Sequence, residues 1–310
     1  MNKTSISEMM RVLVDEYKLN RQWGTAHVYQ SALNAFAAFA GRRNLHFDDL
    51  SAHIVKDFEI FLRQRQCSWN TVATYMKALK TTYNRAVEMG LAAYTPRLFA
   101  NVRIAVTNCR KRALDAIEIA PLVATSATPP SPTLHQVKLV FALMFLLRGI
   151  PFVDLAFLRK DDIRNGYLSY RRRKTGRTLT VKLTAEATAI IKTLTADTPR
   201  KSPYLFPFIN SQEGSLQAYN EYQRALRKLN HQLRKLSAAM NYAHLSTYTA
   251  RHSWATMAYY CEIHQGIISE AMGHSSIAVT ETYLKPFHND RIDQANDTVI
   301  AYIKSSTKNK

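Results

Sequence analysis

The chain of 310 residues carries 42 Lys and Arg against 23 Asp and Glu, a formal net charge of +19, with 46% hydrophobic residues. That length predicts two domains, and that apolar share excludes a disordered chain. Up to residue 110 basic residues outnumber acidic ones 15 to 8, and beyond it 27 to 15. The expected partner is therefore a polyanion that touches both halves, most commonly nucleic acid; ribosome-associated and anionic-membrane proteins share this composition.

The first hundred residues read as helices joined by short turns. Glu8, Asp15 and Glu16 interrupt the N-terminal apolar residues, so neither a signal peptide nor a membrane span is expected there. Tyr29, Leu33, Phe36 and Ala40 recur at helical spacing, and Gly41 follows as a stop. Ser51 can cap a helix with the apolar face Ile54, Val55, Phe58, Phe61 and Leu62. Another helix runs through Val72, Tyr75, Met76, Leu79, Tyr83 and Ala86 and ends before Gly90. Residues 1–100 thus predict a small helical bundle. The text then becomes irregular and basic, with Arg97, Arg103, Arg110, Lys111 and Arg112. Residues 101–113 read as an interdomain linker, either crossing DNA phosphates or forming a solvated basic loop.

Residues 114–310 open with a helical region whose apolar run, 139–147, is far too short to span a bilayer. Between Asn165 and Leu183 the period switches to two: Leu168 and Tyr170, then Leu179, Val181 and Leu183, alternate with polar residues. This predicts a β-hairpin with Arg171, Arg172, Arg173 and Lys174 at or beside its turn. The segment from Tyr219 to Met240 is helical and carries Arg224, Arg227 and Lys228, which suit a major groove or equally a solvated face. The last 65 residues are helical, with interruptions read at Gly266, Gly273 and near Pro286. Residues 288–304 place Ile292, Ala295, Val299, Ile300 and Ile303 on one face, which must pack on its own domain or on a neighbouring subunit. Cys67, Cys109 and Cys261 lie far apart without C-x-x-C spacing, suggesting neither a disulfide framework nor a zinc site and fitting a reducing cytoplasm.

Breaking a phosphodiester by transesterification needs a nucleophile, cations around the phosphoryl oxygens and an acid for the departing oxygen. The C-terminal half offers each type: Tyr283 as an oxygen nucleophile, Arg148 and Arg251 as permanent cations, Lys174 as a cation that can give up a proton, and His274 as a donor. Each taken singly is more often structural. Their arrangement is specific, because Ala250-Arg251-His252-Ser253-Trp254-Ala255-Thr256 is followed by Met272-Gly273-His274-Ser275-Ser276 and then Thr280-Glu281-Thr282-Tyr283. This text resembles the C-terminal motif of the tyrosine recombinase (phage integrase) family, in which the nucleophilic Tyr comes nine positions after that His. Arg172-Arg173-Lys174-Thr175-Gly176 looks like the family's hairpin lysine segment.

Two positions depart from the family pattern. Tyr248 stands three before Arg251, where the family usually has His; a phenol still donates a hydrogen bond but is no cation. His252 matches the family's second His, a role of holding the helices. Asp154-Leu155-Ala156-Phe157-Leu158 resembles the segment that follows the first catalytic Arg, which puts Pro151 where that Arg is expected. The text from Arg148 to Asp154 resembles a variant found in a branch of bacterial integrases and DNA invertases, which carries the role to Arg148, with Asp154 as its orienter.

The resemblance implies a mainly α fold with a small antiparallel β-sheet in the catalytic domain, 114–310, and a SAM-like core-binding domain in 1–100. Together they imply a two-domain clamp around double-stranded DNA. It further implies strand cleavage and rejoining through a 3′-phosphotyrosyl intermediate, with no cofactor and no metal. Four copies would assemble on paired sites through the C-terminal helix, in the cytoplasm. Arg171, Arg172, Arg173, Lys111, Arg112, Arg224, Arg227 and Lys228 are the expected DNA contacts. A type IB topoisomerase-like enzyme and a non-catalytic DNA-binding protein are the alternatives; the complete motif spacing argues against the second, and the short N-terminal bundle against the first. Integration, excision and inversion remain open. The little room before residue 20 for an extra arm-binding domain favours an invertase or a simple mobile-element integrase.

Overall fold

A computed structural model describes residues 4–105, 112–124, 131–242, 244–287 and 289–307. The chain folds as two compact units, one covering residues 1–109 and the other the rest, with Gly214–Leu216 grouped with the first.

The first unit is a bundle of α1 (Ile6–Leu19), α2 (Trp23–Ala40), α3 (Ala52–Gln64) and α4 (Trp69–Glu88). Local chemistry sets its boundaries. Ser5 and Glu8 cap α1 reciprocally, and the Ser51 and Ser68 hydroxyls accept from Ile54 N and Thr71 N at the starts of α3 and α4. Gly41 ends α2 at φ 61°, a backbone region in which a side chain is strained. The apolar stripes meet around Phe36 and Phe58, which pack edge-on with centroids 5.3 Å apart. Burying each such side chain contributes roughly 1.5–3 kcal/mol. The core extends beyond α4, since Leu98 and Phe99 are buried in it and Val102 and Ile104 pack against it. The chain up to Ile104 therefore belongs with the bundle, although 101–113 read as linker; Lys111 and Cys109 lie outside the described residues.

In the second unit α6 (Pro132–Leu146) runs through the middle. Residues 137–144 are buried all round, as a helix covered on every side must be, and α5 (Ala116–Val123), α8 (Ala185–Leu194) and α10 (Thr247–Tyr260) pack on it. The short α7 (Phe152–Ala156) restarts the chain after Pro151, which is extended at φ −64° and ψ 145°. The predicted hairpin is present as β2 (Tyr167–Arg171) and β3 (Thr178–Lys182), paired Leu168 to Val181 and Tyr170 to Leu179. A two-residue strand, β1 (Ile163–Arg164), adds to β2 in an antiparallel sheet of order β1-β2-β3. The remaining helices are α9 (Leu216–Ala239), α11 (Gln265–Ala271), α12 (Ile277–Glu281) and α13 (Asn289–Thr307). Among the described residues, no helix is long and apolar enough to cross a membrane. On α13 the side chains of Ile292, Val299, Ile300, Tyr302 and Ile303 are exposed.

Candidate active site

Arg251 lies in the second turn of α10 with only 2% of its surface exposed. Its guanidinium donates to Gly149 O (2.7 Å) and Met272 O (2.9 Å), and one of its nitrogens lies 2.7 Å from His274 Nε2. A guanidinium only donates, so Nε2 accepts and the ring proton sits on Nδ1, facing Thr280 Oγ1 at 2.8 Å. Burial, followed by the charges of Arg251, Arg172, Lys174 and Arg177, pushes the His274 imidazole down to about 3. At neutral pH this histidine is therefore uncharged, with its Nε2 occupied by Arg251.

Tyr283 follows α12 in a turn closed by its own N–H on Thr280 O at 2.9 Å. Its ring stacks on His274, with centroids 5.0 Å apart and planes 21° apart, lies 4.7 Å from the His252 ring, and has the Arg251 Cζ 5.3 Å from its centroid. The backbone is held as well. Tyr283 O accepts from Thr256 Oγ1 and faces His252 Nδ1, each at 3.3 Å. Two residues on, Lys285 pairs with Asp115 at 3.1 Å, and Tyr260 donates to Pro286 O at 2.9 Å. The expected trio of Arg251, His274 and Tyr283 is thus assembled within one cluster, with His252 beside it.

A second arginine occupies this cluster. Arg172, directly after β2, was expected among the DNA contacts, but its side chain is turned inward and only 5% exposed. It donates to Met272 O at 2.6 Å, the carbonyl that Arg251 also uses, and its Nε forms an ion pair with Asp154 Oδ2 at 2.9 Å without being aligned as a hydrogen bond. The cause is strand parity, since Leu168, Tyr170 and Arg172 share the inner side. Asp154 also accepts from Arg173 N at 2.9 Å, and burial raises its carboxyl above the ordinary value against the pull of these donors. Burial and the adjacent Arg172 press the Arg251 guanidinium below its usual range, while the neighbouring Tyr283 phenol opposes that shift. Two buried guanidinium groups and one carboxylate leave a net positive charge out of water, which a phosphoryl group is suited to offset.

Arg148 stands at the end of α6 in the left-handed region, φ 60°, followed by Gly149 at φ 66°. Gly149 is needed there, because a Cβ would lie 2.9 Å from the Arg251 Cα. Arg148 itself has no ion pair or side-chain hydrogen bond among the described residues, and Asp154 pairs with Arg172 instead. Its charge acts on the buried Tyr170, whose hydroxyl is raised far above the phenol range by burial and Asp154 against Arg172, Arg251 and Arg148. Lys174 is exposed in the hairpin turn, close enough for its charge to act on His274; Thr175 next to it donates to Gly273 O at 3.1 Å. Tyr248 is 54% exposed on α10, its ring 6.4 Å from that of His252.

The other expected DNA contacts differ in how free they are. Arg171 is exposed, with its Nε on Gly176 O at 2.8 Å; Arg173 pairs with Glu213 and stacks on Phe157 at 3.9 Å. Arg112 and, on α9, Arg224, Arg227 and Lys228 are exposed. Sequence reading did not single out Thr280, Thr256, Tyr170 or the carbonyls of Gly149 and Met272. Only Tyr170 and Arg172 had a usable signal, the inward parity of β2.

Comparison with known proteins places this cluster in a family. Residues 5–102 match the model of the phage integrase SAM-like domain, and residues 112–290 match that of the phage integrase family. No curated protein sequence matches the chain. Among solved structures, the fold is similar to the Tn1549 transposon integrase in complex with circular intermediate DNA, with a TM-score of 0.66 at 12% identity over 95% of this chain and 99% of that one. It is also similar to a lambda integrase tetramer bound to a Holliday junction, with a TM-score of 0.64 at 16% identity over 92% and 78%. With the catalytic-domain model matching more than half of its length, across the span that holds Arg251, His274 and Tyr283, the chain belongs to the phage integrase family of tyrosine recombinases.

Proposed function

We propose that this site-specific recombinase cuts DNA by attack of the Tyr283 oxygen on the scissile phosphorus. The bond to the 5′-oxygen breaks, leaving a 3′-phosphotyrosyl ester and a free 5′-hydroxyl. The phenol proton of Tyr283 passes to solvent while Lys174 supplies the proton to the leaving oxygen. Later a 5′-hydroxyl from a partner strand attacks the ester and returns a proton to Lys174; the phosphorus–tyrosine bond breaks to release Tyr283, which regains its proton from solvent. The ester conserves the energy of the bond, so rejoining needs no further input. What carries this reading is the packing of the Tyr283 ring on His274, 5.0 Å away, beside the paired buried cations Arg251 and Arg172.

In this scheme Arg251 and Arg172 hold the nonbridging oxygens, and neutral His274 orients Arg251 through Nε2. Arg172 supplies the second arginine that Pro151 cannot; Arg148, three residues before Pro151, adds charge at longer range, and Tyr248 donates from the rim. Asp154 fixes Arg172. Tyr283→Phe tests the nucleophile on nicked suicide duplexes built from the DNA flanking the gene. The variant is expected to bind as wild type does and to form no covalent adduct; an adduct formed without the hydroxyl would overturn the assignment.

The lambda integrase match is of a tetramer on a Holliday junction, and an assembly of four copies on paired sites is proposed here too. The exposed Ile292, Val299, Ile300 and Ile303 on α13 support it, as an apolar face suited to a neighbouring copy. The DNA-contacting surface is assigned to Arg171, Arg112, Arg224, Arg227 and Lys228, acting on cytoplasmic duplex.

A further inference from the structure

We propose that Arg63 and Arg103 form a phosphate-binding notch on the first unit, built around the indole of Trp69, through which this domain grips the DNA backbone. The proposal rests on the DNA-recombinase reading, and names residues that neither the motif nor the active site assigns. Trp69 is the first residue of α4 and 39% exposed, with the Arg63 Cζ 4.4 Å and the Arg103 Cζ 5.1 Å from its ring centroid.

Both arginines are fixed from below. Arg63, in the last turn of α3, donates to Cys67 O. Arg103 is placed by its own backbone, whose N–H donates to Glu59 Oε1 at 2.7 Å. Glu59 is buried, and its other oxygen is engaged by Lys56 Nζ, which also reaches Asn101 O. That carboxylate therefore organises the backbone under the cluster without neutralising it. Among the described residues neither Arg63 nor Arg103 has a carboxylate within ion-pair distance, in contrast to Arg85, which lies near Glu16 and Glu88.

Two guanidinium groups set against one indole without a carboxylate partner concentrate positive charge there, which a nearby anion offsets. Stacking on an indole leaves the N–H edges of a guanidinium open, the geometry that takes phosphate oxygens two at a time. The same unit repeats the device with Arg43 over Phe39 (5.5 Å) and Arg65 over Phe61 (5.6 Å). A diester backbone, with phosphates at regular intervals, matches such a series better than a single small anion does.

The test is the salt dependence of binding of the full chain to a short labelled duplex. Arg63→Ala and Arg103→Ala are each expected to make the log–log slope shallower by about 0.9, the contribution of one phosphate contact. Arg85→Ala removes the same charge from a paired site and is expected to leave the slope unchanged. Thermal melting followed by circular dichroism checks the fold of each variant; Arg63→Gln and Arg103→Gln, which keep stem and planar amide on the indole, repeat the measurement if an alanine variant melts early. Slopes of the Arg63 and Arg103 variants equal to wild type, or an Arg85→Ala slope lowered as much as theirs, overturn the notch alone. A wild-type slope near zero overturns instead the DNA reading beneath it.

Discussion

In the second unit Arg172 and Arg251 are almost fully buried, share the Met272 carbonyl and are accompanied by one carboxylate, Asp154. In the first unit Arg63 and Arg103 rest on a half-exposed indole with no carboxylate beside their guanidinium groups among the described residues. The difference is one of dielectric. A buried guanidinium acts strongly over a short distance, on whatever charge develops beside it, and is little screened by salt. An exposed one is screened, and contributes to binding chiefly by releasing counterions from the DNA. In the proposed reading, one chain thus holds arginines of two kinds, a buried pair for a single phosphoryl group and an exposed face for a long backbone.

The comparison breaks most directly at Arg172. If it is the second cation of the cleavage site, Arg172→Ala lowers the rate of adduct formation at saturating DNA by roughly 10² to 10³. It also destabilises the unit by about 3–5 kcal/mol, because Asp154 is left buried and unpaired. Arg172→Lys keeps the charge, restores folding in part, and still cleaves slowly for want of the fork. Arg148→Ala is expected to cleave within about tenfold of wild type. A large loss in Arg148→Ala, with a small loss in folded Arg172→Lys, would exchange the two assignments. Intermediate in size is Lys174, an exposed cation placed with the buried ones. Lys174→Ala is expected to slow cleavage of an ordinary phosphodiester on the order of 10²-fold. Cleavage of a substrate with a 5′-thiolate leaving group, which needs no acid, should be nearly spared; equal losses on both would make Lys174 a backbone contact of the exposed kind.

A further expected effect concerns stability against pH. His274 is held down to about 3 from an ordinary 6.5, so between those values the unfolded chain takes up a proton that the folded chain refuses. Its contribution is present in full above about pH 6.5 and is lost as pH falls toward 3. His274→Gln, which cannot titrate, should show a shallower fall in denaturant midpoint over that window than wild type. Parallel pH profiles for the two proteins would mean that His274 is not buried against its arginine neighbours as described.

The helices of the first unit were legible because their capping residues and apolar periods are local signals, and Ser51 and Gly41 act where the sequence puts them. The hairpin was legible from its alternation, but β1, with two residues, is too short to show a period. One helix stop was misread. Gly266 suggested a break, yet it lies inside α11; α10 ends earlier, with Glu262 left-handed at φ 61° and Ile263 N bonded back to Ala258 O at 3.1 Å. A stop made by an ordinary residue leaves no glycine to read.

By itself the sequence determined the family, the nucleophile candidate and the nine-residue step from His274 to Tyr283, since these depend on residue type and order alone. What only the tertiary structure decided is which arginines share the cluster. Arg148, Arg171, Arg172 and Arg173 are chemically equal in the text. The inward parity of β2 and the arrival of Asp154 from α7 desolvate one of them and give it Met272 O for a partner. Burial is a property of how elements from distant parts of the chain close over a residue, and no local spacing encodes it.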